Sequence, residues 1–371
     1  MMSARFLTVV LERAFNMRDG FGREIDYMRI SVIDSCNLNC YYCNPCDNNE
    51  HCHALNILSV KEVLCIVRAA TRLGIKHFRL TGGEPLLHPQ LDEMVLQIKK
   101  IPSVSSVSLT TNAVLLAQHA KWLKEAGIDS INVSLDTIDA SEYERITKKP
   151  LLEEVKHGIN AAIECGIRVK INVVLTPQTD VVALTRYVAK KGTDIRFIEM
   201  MPVGEGHTNG VEPYKKVIGT LSKLYGEPCR INTEKTKEIN SGNDKRKIPD
   251  NGPAEYYIFP ELGIRVGLIQ AIHGKFCDTC NRIRVTADGR LMPCLGSSVT
   301  MDLVPDSWDF ADDVEKDFAI VRALRAVIKA KPRCHNFNDN AVTYTKTTET
   351  KTTEIEAAEV NAARNMSRIG G

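Results

Sequence analysis

Three cysteines stand at Cys36, Cys40 and Cys43, spaced C-x3-C-x2-C, directly after an apolar-alternating run from Met28 to Ile33. No other feature constrains the chain as much. Three thiols this close on a loop that follows a strand form a clamp for a soft metal centre. A cubane cluster held by three protein ligands keeps one iron open to substrate or cofactor, as a catalytic zinc keeps one open position. Structural zinc is the main rival, but it takes four ligands, usually as two separated pairs. Unliganded thiols are the third reading, and spacing alone leaves all three standing.

Composition narrows the setting. At 371 residues the chain exceeds an average domain, although barrels often use that length as one unit. A net charge of +2 lacks the basic excess of a nucleic-acid binder. No apolar run approaches a membrane span. The short run Phe6–Val10 meets Glu12 and Arg13 and reads as part of an N-terminal extension, residues 1–18, rather than as a secretory signal. Twelve cysteines are too dilute for a disulfide-stapled miniprotein, and their clustering points to metal in a reducing, cytoplasmic setting.

From Met28 to Met201, β-rich runs alternate with amphipathic helical patterns. Strands are expected at Met28–Ile33, His77–Leu80, Ser106–Leu109, Ser130–Ser134, Arg168–Leu175 and Ile195–Glu199. Helices are expected at Val60–Leu73, Leu91–Lys100, Leu115–Ala126, Leu152–Cys165 and Val181–Lys190. Short links between such units require a parallel sheet with right-handed crossovers. The fold class over residues 19–203 is therefore α/β, read as a barrel or part-barrel ahead of an open doubly wound sheet. Chemistry in such barrels sits on loops at the carboxyl ends of the strands, where the Cys36 loop and Thr81–Pro85 fall. Past Gly204–Gly210, read as a linker, the alternation fades into a C-terminal domain, residues 204–337. It carries a helix near Tyr214–Tyr225, a polar loop Asn232–Asn251 and strands at Tyr256–Phe259 and Ile264–Ile269. Residues 338–365 read as a flexible linker, and Met366–Gly371 as a tail.

A second triad, Cys277, Cys280 and Cys294, lies in the C-terminal domain. Asp288-Gly289 reads as a hairpin turn that folds Cys294 back beside the other two. His273 is the nearest fourth ligand for a zinc knuckle, and zinc and iron–sulfur stand even on spacing. Arg282 and Arg284 alternate on the following strand and so share a face, suited to a triphosphate or a purine edge, or simply to solvent. In Thr81-Gly82-Gly83-Glu84-Pro85 the glycines let backbone approach a ligand, and Glu84 can accept from an ammonium. Cys65, Cys165, Cys229 and Cys334 fit buried small-residue roles, and Cys52 stays unassigned.

These residues carry a resemblance. C-x3-C-x2-C with Tyr42 before the third cysteine resembles the signature of radical S-adenosylmethionine (radical SAM) enzymes. The flanks Phe21–Ser31, Thr81–Pro85 and the closing Gly370-Gly371 make the chain similar to the GTP 3′,8-cyclase family, from about Asp19 to Phe337 and again over the last residues. The resemblance implies a partial (β/α)6 TIM-like barrel and two [4Fe–4S] clusters, on Cys36, Cys40 and Cys43 and on Cys277, Cys280 and Cys294. It implies S-adenosylmethionine contacts at Tyr42, Gly83, Ser134 and Met201. GTP contacts carry over onto Arg29, Arg79, Thr110, Lys170, Arg282, Ile283 and Arg284, and a role in the active site onto Gly370 and Gly371. The implied reaction joins the ribose 3′ carbon of GTP to C8 of guanine, opening molybdenum-cofactor biosynthesis. The implied partners are a flavodoxin- or ferredoxin-like electron donor, a downstream cyclic pyranopterin monophosphate synthase and a second copy in a homodimer, with neither nucleic acid nor membrane.

The chain departs from the family at Ser35, where Arg is common, at His77 for Lys, at Asn44 for Met and at Ala113 for Gly. Cys46 adds a further C-x2-C and is expected to be a bystander. Two rivals stand beside this reading: a radical SAM enzyme with auxiliary clusters acting on a peptide, and a zinc-stabilised protein without redox chemistry.

Overall fold

The alternation of β-rich and amphipathic runs becomes a parallel sheet wrapped by helices. The computed structural model describes residues 17–43, 56–203, 211–231, 252–297, 299–303, 313–335 and 337. Expectations for residues 1–16, Asn44, Cys46, Cys52, the Gly204–Gly210 linker, the Asn232–Asn251 loop, the 338–365 linker and the tail with Gly370 and Gly371 lie outside the described residues.

The strands are β1 (Tyr27–Ser31), β2 (His77–Thr81), β3 (Ser106–Thr111), β4 (Ser130–Ser134), β5 (Val169–Val174) and β6 (Asp194–Ile198). Between them run α1 (Val60–Arg72), α2 (Leu91–Lys99), α3 (Leu116–Glu125), α4 (Ala140–Thr147), α5 (Leu152–Glu164) and α6 (Val181–Lys190). Helix α4 was not anticipated; it is short and polar on its outer side, so its periodicity is faint. Ser59 starts α1 with a capping box, its hydroxyl accepting from the Glu62 amide while Glu62 accepts from the Ser59 amide. Helix α5 buries Leu152, Val155, Ile159 and Ala162 on the sheet, each larger side chain contributing roughly 1.5–3 kcal/mol.

The second half of the chain does not form a separate sheet. After α7 (Gly219–Tyr225) come β7 (Cys229–Ile231), β8 (Glu255–Ile258), β9 (Arg265–Ile269), β10 (Arg282–Val285), β11 (Arg290–Met292), β12 (Met301–Asp302) and α8 (Asp313–Lys329). One twelve-stranded sheet runs in the order β12-β11-β10-β1-β2-β3-β4-β5-β6-β9-β8-β7. Strand β9 joins β6 in parallel and β10 joins β1 in parallel, so the six expected strands become eight parallel ones. Among the described residues no ladder joins β9 to β10. Because both run the same way, residues 270–281 must return from the end of one to the start of the other, across the open side. Helix α8, also unforeseen, packs on α1, with Leu324, Val327 and Ile328 buried.

Strand side chains alternate between the two faces. The outward set is apolar and buried under helices, as in Met28 and Ile30, Phe78 and Leu80, Val107 and Leu109. The inward set is Arg29, Arg79, Thr110, Asn132, Asn172 and Arg196, among others. A (β/α) barrel is ordinarily filled by branched apolar side chains. Here polar and cationic ones line a cavity of about 310 Å³ instead.

Candidate active site

The first triad sits on the loop that leaves the end of β1. Its backbone is pinned to the end of α4, Asn39 N–H donating to Thr147 O (3.0 Å) and Tyr41 N–H to Ile146 O (3.1 Å). On the other side it rests against Gly82 and Gly83. A Cβ on Gly82 would lie 2.2 Å from Ile33 O, and one on Gly83 only 2.0 Å from Ser35 O. These glycines are required first by the close approach of two backbones, and the amides of Gly83 and Glu84 donate to Ile33 O and Ser35 O.

Glu84 is buried, and its carboxylate accepts from Leu86 N, Thr111 Oγ1 and Asn112 N at 2.7–3.0 Å. Burial pushes it up to about 7 despite these donors. The carboxylate expected to meet an ammonium is thus committed to tying the β2 loop to the β3 loop. Asn112 in turn reaches Cys36 Sγ (3.8 Å) and Asn37 Oδ1 (2.7 Å). Beneath Cys40 and Cys43, the Tyr42 hydroxyl donates to Asp136, which also accepts from Val174 N. Burial raises both, Asp136 to about 6.

The second triad is assembled from two places: a helical turn at Cys277–Thr279 that Cys280 caps, just before β10, and the turn after β11. The expected hairpin is present, with Gly289 at φ 75°, and Cys294 faces the same cavity as Cys277 and Cys280. Burial pushes the Cys36 thiol up to about 11. Burial would raise Cys280 too, but the charges of Arg282 and Lys331 bring it down to about 7.

Between the triads, adjacent strands place three arginines in register: Arg284 beside Arg29, and Arg29 beside Arg79. Tyr27 Oη accepts from Arg79 Nε, and Arg282 lies over the Phe276 ring at 5.0 Å. Burial, then the neighbouring guanidiniums, holds Arg29 well below its ordinary value and Arg284 down to about 10. Like charges packed this way in a desolvated cavity constitute a site for a polyanion.

All six cysteines of the two triads, and Tyr42, Gly83, Ser134 and Met201, line this one cavity. So do Arg29, Arg79, Thr110, Arg282 and Arg284. Lys170 and Ile283 are not part of its wall. Lys170 is buried with its ammonium 5.8 Å from the Tyr256 ring, and Ile283 faces outward into the apolar core. His77 stands two residues below Arg79, its Nδ1 2.8 Å from Ser106 Oγ, outside the wall as well.

Three further expectations are corrected. His273 does not line the cavity that Cys277, Cys280 and Cys294 share, and its Nδ1 pairs with the buried Glu199. Cys229 and Cys334 are exposed, not buried. Arg196 was missed: buried on β6, it lines the cavity, donates to Asn172 Oδ1 (2.9 Å) and leaves Nη2 without a partner. The inward phase of β6, continuous with Asn172 on β5, is the sequence signal that points to it.

Among the described residues no three His, Cys, Asp or Glu side chains gather closely enough to hold a single ion. A tetrahedral zinc, about 2.3 Å from each sulfur, would need thiolates within about 4 Å of one another. Each triad presents three thiols to one cavity, the donor set that a cubane with one open iron takes.

Known proteins carry the same organisation. A family model described as the radical SAM superfamily matches residues 30–183, and one described as Molybdenum Cofactor Synthesis C matches residues 193–337. GTP 3′,8-cyclase of Clostridium perfringens strain SM101 is 36% identical over 328 residues, covering 86% of this chain and 95% of that protein. The GTP 3′,8-cyclase of Petrotoga mobilis is 35% identical over 331 residues, covering 87% and 96%. The crystal structure of Streptococcus suis SuiB bound to S-adenosylmethionine superposes with a TM-score of 0.52 at 14% identity. That likeness covers 75% of this chain and 63% of SuiB, and it concerns the fold alone. With a relative this similar along nearly its whole length, and with both cysteine triads facing one cationic chamber, the chain belongs to the GTP 3′,8-cyclase family of radical SAM enzymes.

Proposed function

We propose that the chain cyclises GTP to 3′,8-cyclo-7,8-dihydro-GTP, the first step of molybdenum-cofactor biosynthesis. The observation that carries this reading is the row Arg284, Arg29, Arg79, set between two cysteine triads in one cavity. Cys36, Cys40 and Cys43 would hold one [4Fe–4S] cluster, and Cys277, Cys280 and Cys294 a second. When bound, the first cluster together with S-adenosylmethionine supplies the one-electron chemistry that starts hydrogen abstraction from the ribose.

The chain's own residues bind, orient and shield. Tyr42, Gly83, Ser134 and Met201 line the cavity, where S-adenosylmethionine is assigned to them. Arg29, Arg79, Arg282, Arg284 and Arg196 line it too and would grip the triphosphate with charge-assisted hydrogen bonds. Thr110 lies on the same wall. Lys170 would act through the cationic field beneath the wall, and Ile283 through its main chain. Holding ribose and radical source in one cavity supplies orientation and limits the access of water, which would quench or misdirect the radical. Gly370 and Gly371 are assigned to the chamber by family resemblance. An electron donor of flavodoxin or ferredoxin type would feed the first cluster, and the product suits a cyclic pyranopterin monophosphate synthase. A cytoplasmic setting and a homodimer complete the proposal; among the described residues no helix is long and apolar enough to cross a membrane.

The test is anaerobic incubation of reconstituted protein with GTP, S-adenosylmethionine and dithionite. The expected products are 5′-deoxyadenosine and a cyclised nucleotide in step. Accumulating 5′-deoxyadenosine with GTP recovered intact would sink the assignment of substrate.

A further inference from the structure

Two buried cations behind the second triad take no part in the mechanism above. Lys331, only 2% exposed, follows α8 and sends its ammonium into the protein. It donates to Arg282 O and Pro293 O, both at 2.8 Å. Those carbonyls lie two residues past Cys280 and one before Cys294, so a single ammonium ties two arms of the triad together. Arg23 does the same for the third arm. Its guanidinium donates to Cys277 O (2.6 Å), Pro332 O (2.6 Å) and Arg333 O (2.9 Å), and it is anchored by Asp19.

The two differ in charge balance. Arg23 is neutralised by the fully buried Asp19 carboxylate. Lys331 makes no ion pair with a carboxylate among the described residues, and the charged groups that face it are the thiols of Cys280 and Cys294 and the guanidiniums of Arg23 and Arg282. A buried ammonium held only by carbonyls, next to two like charges, is costly unless an anion completes the site. Three thiolates around a cubane are such an anion.

We propose that Lys331 and Arg23 are positioning residues for the second cluster, Arg23 setting the Cys277 arm and Lys331 joining the other two arms while balancing the charge of the thiolate-bound cluster. This rests on the two-cluster reading above, so the experiment isolates the second cluster. In protein carrying Cys36→Ala, Cys40→Ala and Cys43→Ala, iron is reconstituted anaerobically and its release to a chelator is timed. Melting temperatures are taken loaded and metal-free.

Adding Lys331→Met should speed iron release by about tenfold, the loss of one charge-assisted contact. Lys331→Arg should stay within about threefold. Loading should raise the melting temperature less in Lys331→Met than in the parent. A role in folding alone would lower both melting temperatures equally and leave that difference unchanged, which overturns the proposal. Unchanged iron release in Lys331→Met, even with weakened GTP binding, overturns it as well. Arg23→Lys, unable to reach all three carbonyls, should also release iron faster; release at the parent rate would remove Arg23 from the clamp. A parent that takes up no iron overturns the second cluster itself, and the inference with it.

Discussion

The two cysteine triads face one cavity but are built on opposite plans. The first is local: three thiols within one short loop, backed by neutral or acidic groups, Glu84, Asn112, Tyr42 and Asp136, on the flanking β-loops. The second is a composite of two segments brought together by a hairpin, backed by the cations Arg23, Arg282 and Lys331. A local triad depends on how tightly two backbones approach, a composite one on side chains that reach across the fold. The electrostatic surroundings differ in the same sense. One end suits a sulfonium cofactor with an ammonium group, the other a polyphosphate.

Gly83→Ala is the harshest test of this contrast. A methyl group placed 2.0 Å from Ser35 O must push the first loop away. We expect about four of the roughly eight irons to be lost, and S-adenosylmethionine cleavage to fall at least about a hundredfold, with the second cluster intact. Equal loss from both sites would show that the triads are not independent.

Cys294→Ala is the mirror experiment. It should remove the second cluster and weaken GTP binding more than about tenfold, while uncoupled 5′-deoxyadenosine formation persists. Loss of S-adenosylmethionine cleavage would merge the two halves of the site.

Thiol reactivity sharpens the electrostatic side. In metal-free protein at pH 8, Cys280, near 7, is largely thiolate, while Cys36, near 11, is almost wholly thiol. Alkylation mapped by mass spectrometry should therefore favour Cys280 by at least about tenfold. Between pH 8 and 10 the Cys36 rate should climb about tenfold per pH unit, and the Cys280 rate should barely change. Matching rates would erase the contrast.

Arg196→Ala probes the cationic half without touching either triad. GTP affinity should fall roughly ten- to a hundredfold, and guanosine affinity within about threefold. Isothermal titration with both ligands decides whether the residue reads the triphosphate.

The smallest effect is expected at Ala113, buried at φ 65° in the left-handed region. Ala113→Gly should relieve that strain at the cost of a buried methyl and greater chain entropy. The net gain should be about 1 kcal/mol or less, read from denaturant unfolding.

How much could be read beforehand follows the same division. The six strands and the first triad were legible because period-two alternation and C-x3-C-x2-C are local patterns. The hairpin that returns Cys294 was legible through Asp288-Gly289. That β9 and β10 would join β6 and β1 was not, because edge pairing depends on which strands lie near in space and leaves no mark in either strand. Arg23, Lys331 and Arg196 were not singled out, because only burial separates them from ordinary surface cations. Glu84 was recognised, but its protein partners were not, since the donors Thr111 and Asn112 lie far along the chain. The left-handed backbone at Ala113 explains why glycine is usual there.

The pairing of β10 with β1 has a consequence for how the protein is made. Arg29 and Arg79 belong to the first part of the chain to be synthesised, whereas Arg284 and Arg282 arrive near its end. Until then β1 keeps an unpaired edge, a hazard for misassembly that only late docking removes. A nascent or truncated chain can therefore complete its radical-generating loop before it owns a grip for the nucleotide. Quality control in the cell has reason to act on that interval, because a half-made copy would fire without a target.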